Sequence, residues 1–339
     1  MAKAAFDFVI PLYKARWNTR AVMEGLTHHY QPRAIHIVTP GTEVELLREQ
    51  AQHWAVAPLF VHAEEPFFQP VNLSKETICG ELDLGESLYT PGWFYQQLLK
   101  VGAYEGIPNL SEWYMVWDSD LLPVATWPIF QELGGTLKHS FALLQSNETG
   151  NAKIVDTWAS WIRSVLKVEP VADPSGTFIP HHMWFKQAHL KAMAQRVQAY
   201  YQSDEHWLKL MMRTANEFGT FGEYWIYSSW VAAIAPEDLS FHPYAAYGAT
   251  TERFFDDGTG LFSAALKAGQ AAAVLIDEPF SPSYEAVSAF IQAEYGDALP
   301  SSLSFESSPR HLKKERKNMH IEESRSRWNP RHEESISAT

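Results

Sequence analysis

A single cysteine, Cys79, stands among 339 residues. No intrachain disulfide can form, so packing alone has to hold the fold. The plain reading of that thiol is a small buried hydrophobe rather than a nucleophile. Such cysteine usage suits a reducing compartment, and the expectation is a cytoplasmic protein. Long apolar runs are missing too: none approaches the roughly 18 residues that span a bilayer. The opening "MAKAAFDFVIPLYKARW" lacks both an apolar core of useful length and a small-residue cleavage site. Positive charge is in short supply. Lys+Arg number 27 against 40 Asp+Glu, for a net charge of -13. A field of that sign speaks against nucleic acid or an anionic membrane as the partner of the whole body.

What is present is apolar and aromatic. Hydrophobic residues make up 46% and charged residues 20%, the mix of an ordinary globular chain with a sizeable core. The length allows one large domain or two small ones. Thirteen tryptophans are many for this length. Aromatic rings first fill cores, but they also stack on sugar C–H faces and on nucleobases.

The N-terminal half alternates in type. "FDFVIPLY" reads as a buried strand, followed by a helix-permissive stretch through His29. "AIHIVTP" is a second strand closed by a Pro-Gly signal, and "EVELLREQAQHW" has helical spacing. "APLFVHAEE" is a third strand, ending in Glu64 and Glu65. "PGWFYQQLLKVGAYEG" is a helix with proline at its start and glycine near its end. "EWYMVWDSD" is a fourth strand. This rhythm predicts an α/β fold, a mostly parallel sheet flanked by helices, with ligands beyond the carboxyl ends of its strands. Further on, "SFALLQSNE" and "AAAVLIDEP" read as strands. "IVDTWASWIRSVLKV", "HHMWFKQAHLKAMAQRVQAYY", "EHWLKLMMRTAN" and "FGEYWIYSSWVAAI" read as helices.

The expected division is one domain over 1–300, in two halves at 1–125 and 126–300. Residues 301–339 are Ser-, Arg-, Lys- and Glu-rich and read as a disordered tail. From Arg310 on, eight Lys/Arg face five Asp/Glu, so the tail carries about +3 and the body about −16. The tail's "RHLKKERK" offers a weak peripheral contact with anionic lipid, against the plain reading of a solvated tail.

One stretch concentrates chemistry. In "WYMVWDSDLLPV" an apolar strand ends abruptly in Asp118-Ser119-Asp120. Two carboxylates one residue apart in a tight turn can face one divalent cation, Mg²⁺ or Mn²⁺, which in turn binds a diphosphate. At a strand end they sit on the rim of the sheet. The competing reading is a turn in which one aspartate caps the next segment. Haloacid-dehalogenase-like phosphatases also place Asp-x-Asp after a strand, with the first Asp as nucleophile. Their motif lies on the first strand and continues with Gly-Thr or another Thr/Val. Here it continues Leu121-Leu122-Pro123, on about the fourth strand.

"PGWFYQQLLKV", "WYMVWDSDLLPV", "TFIPHHMWF" and "FGEYWIYSSW", in that order, resemble a largely uncharacterised family of glycosyltransferase-like proteins of the GT-A fold. The resemblance runs from about Phe6 to Pro279 and implies a GT-A-like glycosyltransferase domain over 1–300, with a nucleotide-binding half at 1–125 and an acceptor half at 126–300. It implies a transferase that takes a nucleotide-diphosphate sugar, UDP-linked by expectation, and a saccharide or other hydroxyl acceptor, with Mn²⁺ or Mg²⁺ as cofactor. Asp118 and Asp120 match the family's DxD. Gly92, Trp93, Tyr95, Gln96, Gln97 and Lys100 match the helix before it. Helical spacing sets Trp93, Gln96 or Gln97, and Lys100 along one face, where the lysine would meet a phosphate. His181 and His182 match the "hHM" segment, as acceptor or sugar contacts or a third metal ligand. Adjacent residues of a strand point to opposite faces, so one of the two reaches the site. Glu223 and Tyr224 match a Glu-Tyr pair expected to bind sugar, with Glu223, beside Asp120, as a catalytic carboxylate. In an inverting enzyme Glu223 would take the acceptor proton. Ser228-Ser229 depart from the pattern, which bears on the acceptor. By analogy of fold, the loop Pro11-Leu12-Tyr13-Lys14 would line the nucleobase pocket, with Tyr13 stacking and Glu64 or Glu65 accepting from a uracil N–H. His242 in "FHPYAAYG" is a candidate late metal ligand. The alternatives are a phosphohydrolase with Asp118 as nucleophile and a non-catalytic carbohydrate-binding protein.

Overall fold

The computed structural model describes residues 5–82, 90–145, 152–171, 176–177, 181–218, 222–243, 255–256, 282–298 and 302–306. The first apolar run forms β1 (Asp7–Pro11), every residue of it buried. Then come α1 (Thr19–Tyr30), β2 (Ala34–Thr39), α2 (Gly41–Ala51), β3 (Leu59–Ala63), α3 (Lys75–Glu81), α4 (Pro91–Val101), α5 (Ala103–Gly106) and β4 (Trp113–Trp117). Thr90 starts α4: its side chain accepts from Trp93 N, and Pro91 occupies the position where a missing N–H costs nothing.

Short strands follow: β5 (Leu121–Pro123), β6 (Phe130–Leu133) and β7 (Thr136–Gln145). Gly134 and Gly135 join β6 to β7 with φ of 59° and 78°, the left-handed pair a two-residue hairpin turn requires. Beyond them lie α6 (Ala152–Trp161), β8 (Gly176–Thr177), β9 (His182–Lys186), α7 (Gln187–Tyr201), α8 (Trp207–Phe218), α9 (Glu223–Ile234), β10 (Leu239–Pro243), β11 (Phe255–Asp256), α10 (Tyr284–Tyr295) and β12 (Ser302–Glu306).

The central sheet has the order β3-β2-β1-β4-β9. β1 pairs parallel with β2 and β4, β2 parallel with β3, and β9 antiparallel with β4. The expected α/β class and mostly parallel sheet are thus observed. β1 and β4 sit inside the sheet and are covered on both faces, which is why they read as unbroken apolar runs. At their amino ends Asp7 is fully buried, held by the Arg33 guanidinium and by Ser111 N at 2.9 Å. That polar knot fixes one end of the strands, and the other end is left for a site.

Two expectations are corrected. "HHMWFK" is not the start of a helix: residues 182–186 form β9, and α7 begins at Gln187. Residues 302–306 are not tail: β12 pairs antiparallel with β5, Leu303 opposite Leu122, and Leu303 is fully buried. "AAAVLIDEP" and the tail beyond residue 306 lie outside the described residues. Among the described residues no helix is long and apolar enough to cross a membrane.

Candidate functional site

The turn after β4 is built by its own sequence. Leu121 N donates to Asp118 O at 3.0 Å, and the Trp117 indole reaches over the turn to donate to Leu121 O at 2.7 Å. Asp118 N donates to His181 O at 2.8 Å, which ties the turn to the residue preceding β9. His181 takes φ of +60°, an uncommon conformation for a residue with a Cβ. Its ring comes to the carboxylates, with Nδ1 3.2 Å from Asp118 Oδ2. Asp118, Asp120 and His181 each offer a ligand atom within 4.8 Å of the others. Two carboxylates and an imidazole fit Mn²⁺, which takes oxygen and nitrogen; Mg²⁺, an oxygen-seeking ion, would use the carboxylates.

Behind the turn lies a buried charge cluster. Lys100 Nζ stands 2.8 Å from Asp118 Oδ1 and 2.8 Å from Glu223 Oε1. The Tyr224 hydroxyl donates to Asp118 Oδ1 at 3.0 Å, and the Lys100 ammonium lies 4.5 Å from the centre of the Tyr224 ring. Burial would lower the lysine, but Asp118 and Glu223 outweigh it and keep Lys100 charged. Burial would raise Asp118, yet Lys100 and His181 hold its carboxyl well below the usual range. Glu223 is raised by burial, only partly offset by Lys100. Gly222 lets α9 start here, because a Cβ on it would stand 2.8 Å from the Trp158 ring.

The turn forms one side of a cavity of about 640 Å³ over the carboxyl ends of β1 and β4. Pro11, Tyr13, Glu64, Trp93, Gln96, Asp118, Asp120 and His181, all read from the sequence, line it. Tyr13 is 75% exposed, with Lys75 Nζ 4.6 Å from its ring centre. The same ammonium pairs with Glu64 at 2.9 Å, and the Tyr95 hydroxyl donates to Glu64 O at 3.2 Å. Burial raises the Glu64 carboxyl and Lys75 partly offsets it. Glu65 is used elsewhere, accepting from Gly41 N at the start of α2.

Other sequence-read residues do not line the cavity. Lys100 is 3% exposed and faces the two carboxylates, not a space where a phosphate fits. Gln97, one step round the helix from Gln96, is buried and donates to Trp93 O. His182 points into the core, its ring 4.4 Å from Trp127 and 5.1 Å from Trp117, so His181 is the member of the pair at the site. Glu223 and Tyr224 lie in the layer behind Asp118. The His242 backbone pairs with Ala142 in the second sheet, and its side chain lies outside the described residues. Lys75, Arg16, Asn18 and Thr90 line the cavity although sequence reasoning passed them over. Two cations in the loop after the first strand were the available signal for Arg16 and its neighbour Lys14.

Fold and site together define an α/β protein with a cluster of potential metal ligands at the carboxyl end of a parallel sheet. Residues 15–264 match a family of unknown function, DUF6492, and the chain belongs to it. No curated protein matches the chain. Among solved structures, mouse xyloside xylosyltransferase 1 in its apo form is similar at a TM-score of 0.40 and 12% identity, over 71% of this chain and 85% of that one. The glycosyltransferase GlyE of Streptococcus pneumoniae is similar at 0.34 and 11%, over 98% of this chain and 64% of that one. The PaToxG glycosyltransferase is similar at 0.36 and 9%, over 84% and 87%. Likenesses this distant carry no argument about activity.

Proposed function

We propose that the chain is a metal-dependent glycosyltransferase of the GT-A type, taking a nucleotide-diphosphate sugar, UDP-linked by preference, and passing the sugar to a hydroxyl acceptor. One observation carries the reading: Asp118, Asp120 and His181 gather their ligand atoms within 4.8 Å on the wall of a cavity over the strand ends. A bound Mn²⁺ or Mg²⁺ would supply positive charge against the leaving diphosphate. The chain's own groups do the rest. Lys100 and the Tyr224 hydroxyl fix Asp118 in one orientation through Oδ1 and leave Oδ2 toward His181. The Tyr13 ring offers a stacking face for the base, and Glu64, steadied by Lys75, an acceptor for a ring N–H. Glu223 acts by holding Lys100 rather than by taking the acceptor proton, because its carboxylate is buried behind Asp118.

The test is release of sugar from a panel of nucleotide sugars, with Mn²⁺ and with chelator. We expect turnover that requires metal and falls at least about 100-fold in Asp120→Asn, as when a transition-state electrostatic group is lost. Full activity in chelator, or in Asp120→Asn, would overturn the assignment. Phosphate release from phosphomonoesters through Asp118 would favour the hydrolase instead. Sugar binding in chelator with no turnover of any donor would favour a binding protein.

A further inference from the structure

Lys14 and Arg16 lie in the loop between β1 and α1, both exposed and both lining the cavity. Among the described residues neither is paired with a carboxylate, unlike Lys75 and Lys100, which are. The loop leads into α1, whose cap residue Asn18 and first residue Thr19 line the same cavity. α1 is 12 residues long and has no acidic residue in its first turn. The partial positive charge of its amino end is therefore not neutralised from within the helix.

Asn18 adds an independent observation. It stands at the cap position of α1, 2% exposed, yet makes no capping hydrogen bond. The reason is its backbone: φ −87° and ψ −6° are helical, whereas a capping side chain needs an extended residue. Its Nδ2 has no hydrogen-bond partner. A residue that lines the cavity, close in sequence to two cations and to a helix amino end, thus holds a buried amide donor without an acceptor. Asp118 and Asp120 line the same cavity from the turn after β4, so it is bordered by cations as well as carboxylates.

We infer that Lys14, Arg16, Asn18 and the amino end of α1 form an anion subsite for a phosphate or diphosphate group, one that works without metal. A tetrahedral oxyanion accepts from several directions at once, as a guanidinium, an ammonium, an amide and helix N–H groups together require. The subsite rests on the nucleotide-sugar reading for the source of its ligand, not for the binding itself. Two sources share the chemistry: the diphosphate of the donor and a phosphorylated acceptor.

The probe is inorganic pyrophosphate, titrated calorimetrically into the full chain in chelator. Wild type is expected to bind, and Arg16→Gln to weaken binding about tenfold, the loss of one charge-assisted hydrogen bond. Lys14→Gln and Asn18→Ala should each weaken it several-fold. Lys191→Gln, an exposed lysine on α7, should leave it unchanged and so controls for net charge. Lys14 and Arg16 are exposed, so their variants keep the wild-type unfolding midpoint and the result stands whatever Asn18→Ala does to folding. Absence of binding to wild type, or equal affinity in Arg16→Gln, overturns the subsite. Loss of the transferase reading shows separately, as absent sugar release with pyrophosphate binding intact. Displacement of pyrophosphate by a nucleoside diphosphate with Mn²⁺ assigns the subsite to the donor. Simultaneous binding of the two assigns it to the acceptor.

Discussion

Asp118 meets a lysine, a tyrosine and a histidine within 3.2 Å. A carboxylate so engaged has one orientation, which a ligand group needs and an exposed turn does not provide. Lys100 was legible as a residue on the right helix but not as a buried one. Its burial depends on Glu223, 123 positions along the chain, and no local pattern reports that pairing. The neighbours His181 and His182 divide the same way. Alternation along extended chain said that one would reach the site; which one depended on the left-handed turn at His181. The two therefore separate function from stability. His181→Ala should lower Mn²⁺ affinity at least about tenfold, the loss usual for disturbing a metal site, with little change in unfolding midpoint. His182→Ala should cost about 3 kcal/mol, as for a large core ring removed, by leaving a hole against Trp117 and Trp127. Metal titration and urea unfolding of both proteins check the contrast. Equal effects on affinity would remove His181 from the site.

At the level of elements, the strands that carry the site were the easiest to read. β1 and β4 are unbroken apolar runs with sharp ends, and the acids of the Asp118 turn mark one of those ends. β9 was misread because five strand residues run straight into α7 with no glycine or proline between them, so the helical period of α7 extends back over them. β12 was missed for the opposite reason. Leu303 and Phe305 alternate with serines over too few residues to stand out from a polar, serine-rich stretch, and pairing with β5 makes it a strand. Leu303→Ala should cost about 2–5 kcal/mol, the range for a fully buried leucine. Because β5 directly follows the Asp118 turn, the same variant should loosen the turn. Urea unfolding checks the first effect. A loss under 0.5 kcal/mol, the scale of a surface change, would mean that β12 does not pack as described.

For the whole molecule, acid is the weak direction. His29, His62 and His139 are all lowered from 6.5 to about 4, in each case first by burial. His28 adds to it at His29, His36 and Arg48 at His62, and Lys186 and His189 at His139, where Asp238 opposes. The unfolded chain takes these protons near pH 6.5 and the folded chain only near 4. Between those values the unfolded state binds more protons, so stability falls as the pH falls. Below that, Asp7 and Asp118, both held under the ordinary carboxylate range, extend the loss. The unfolding midpoint should be level above pH 7 and drop steadily from 6.5 to 4. Calorimetry across that range checks it, and a level midpoint would mean that these imidazoles are protonated in the fold. The antiparallel edge strand has a different consequence. Every cavity-lining residue named above precedes position 121 except His181. A chain emerging from the ribosome thus presents the segments of the parallel strands and both aspartates first, and the domain, which folds as a unit, waits for the rest. The imidazole is translated only some sixty residues later, so a nascent chain stalled before that point holds both aspartates without the third ligand.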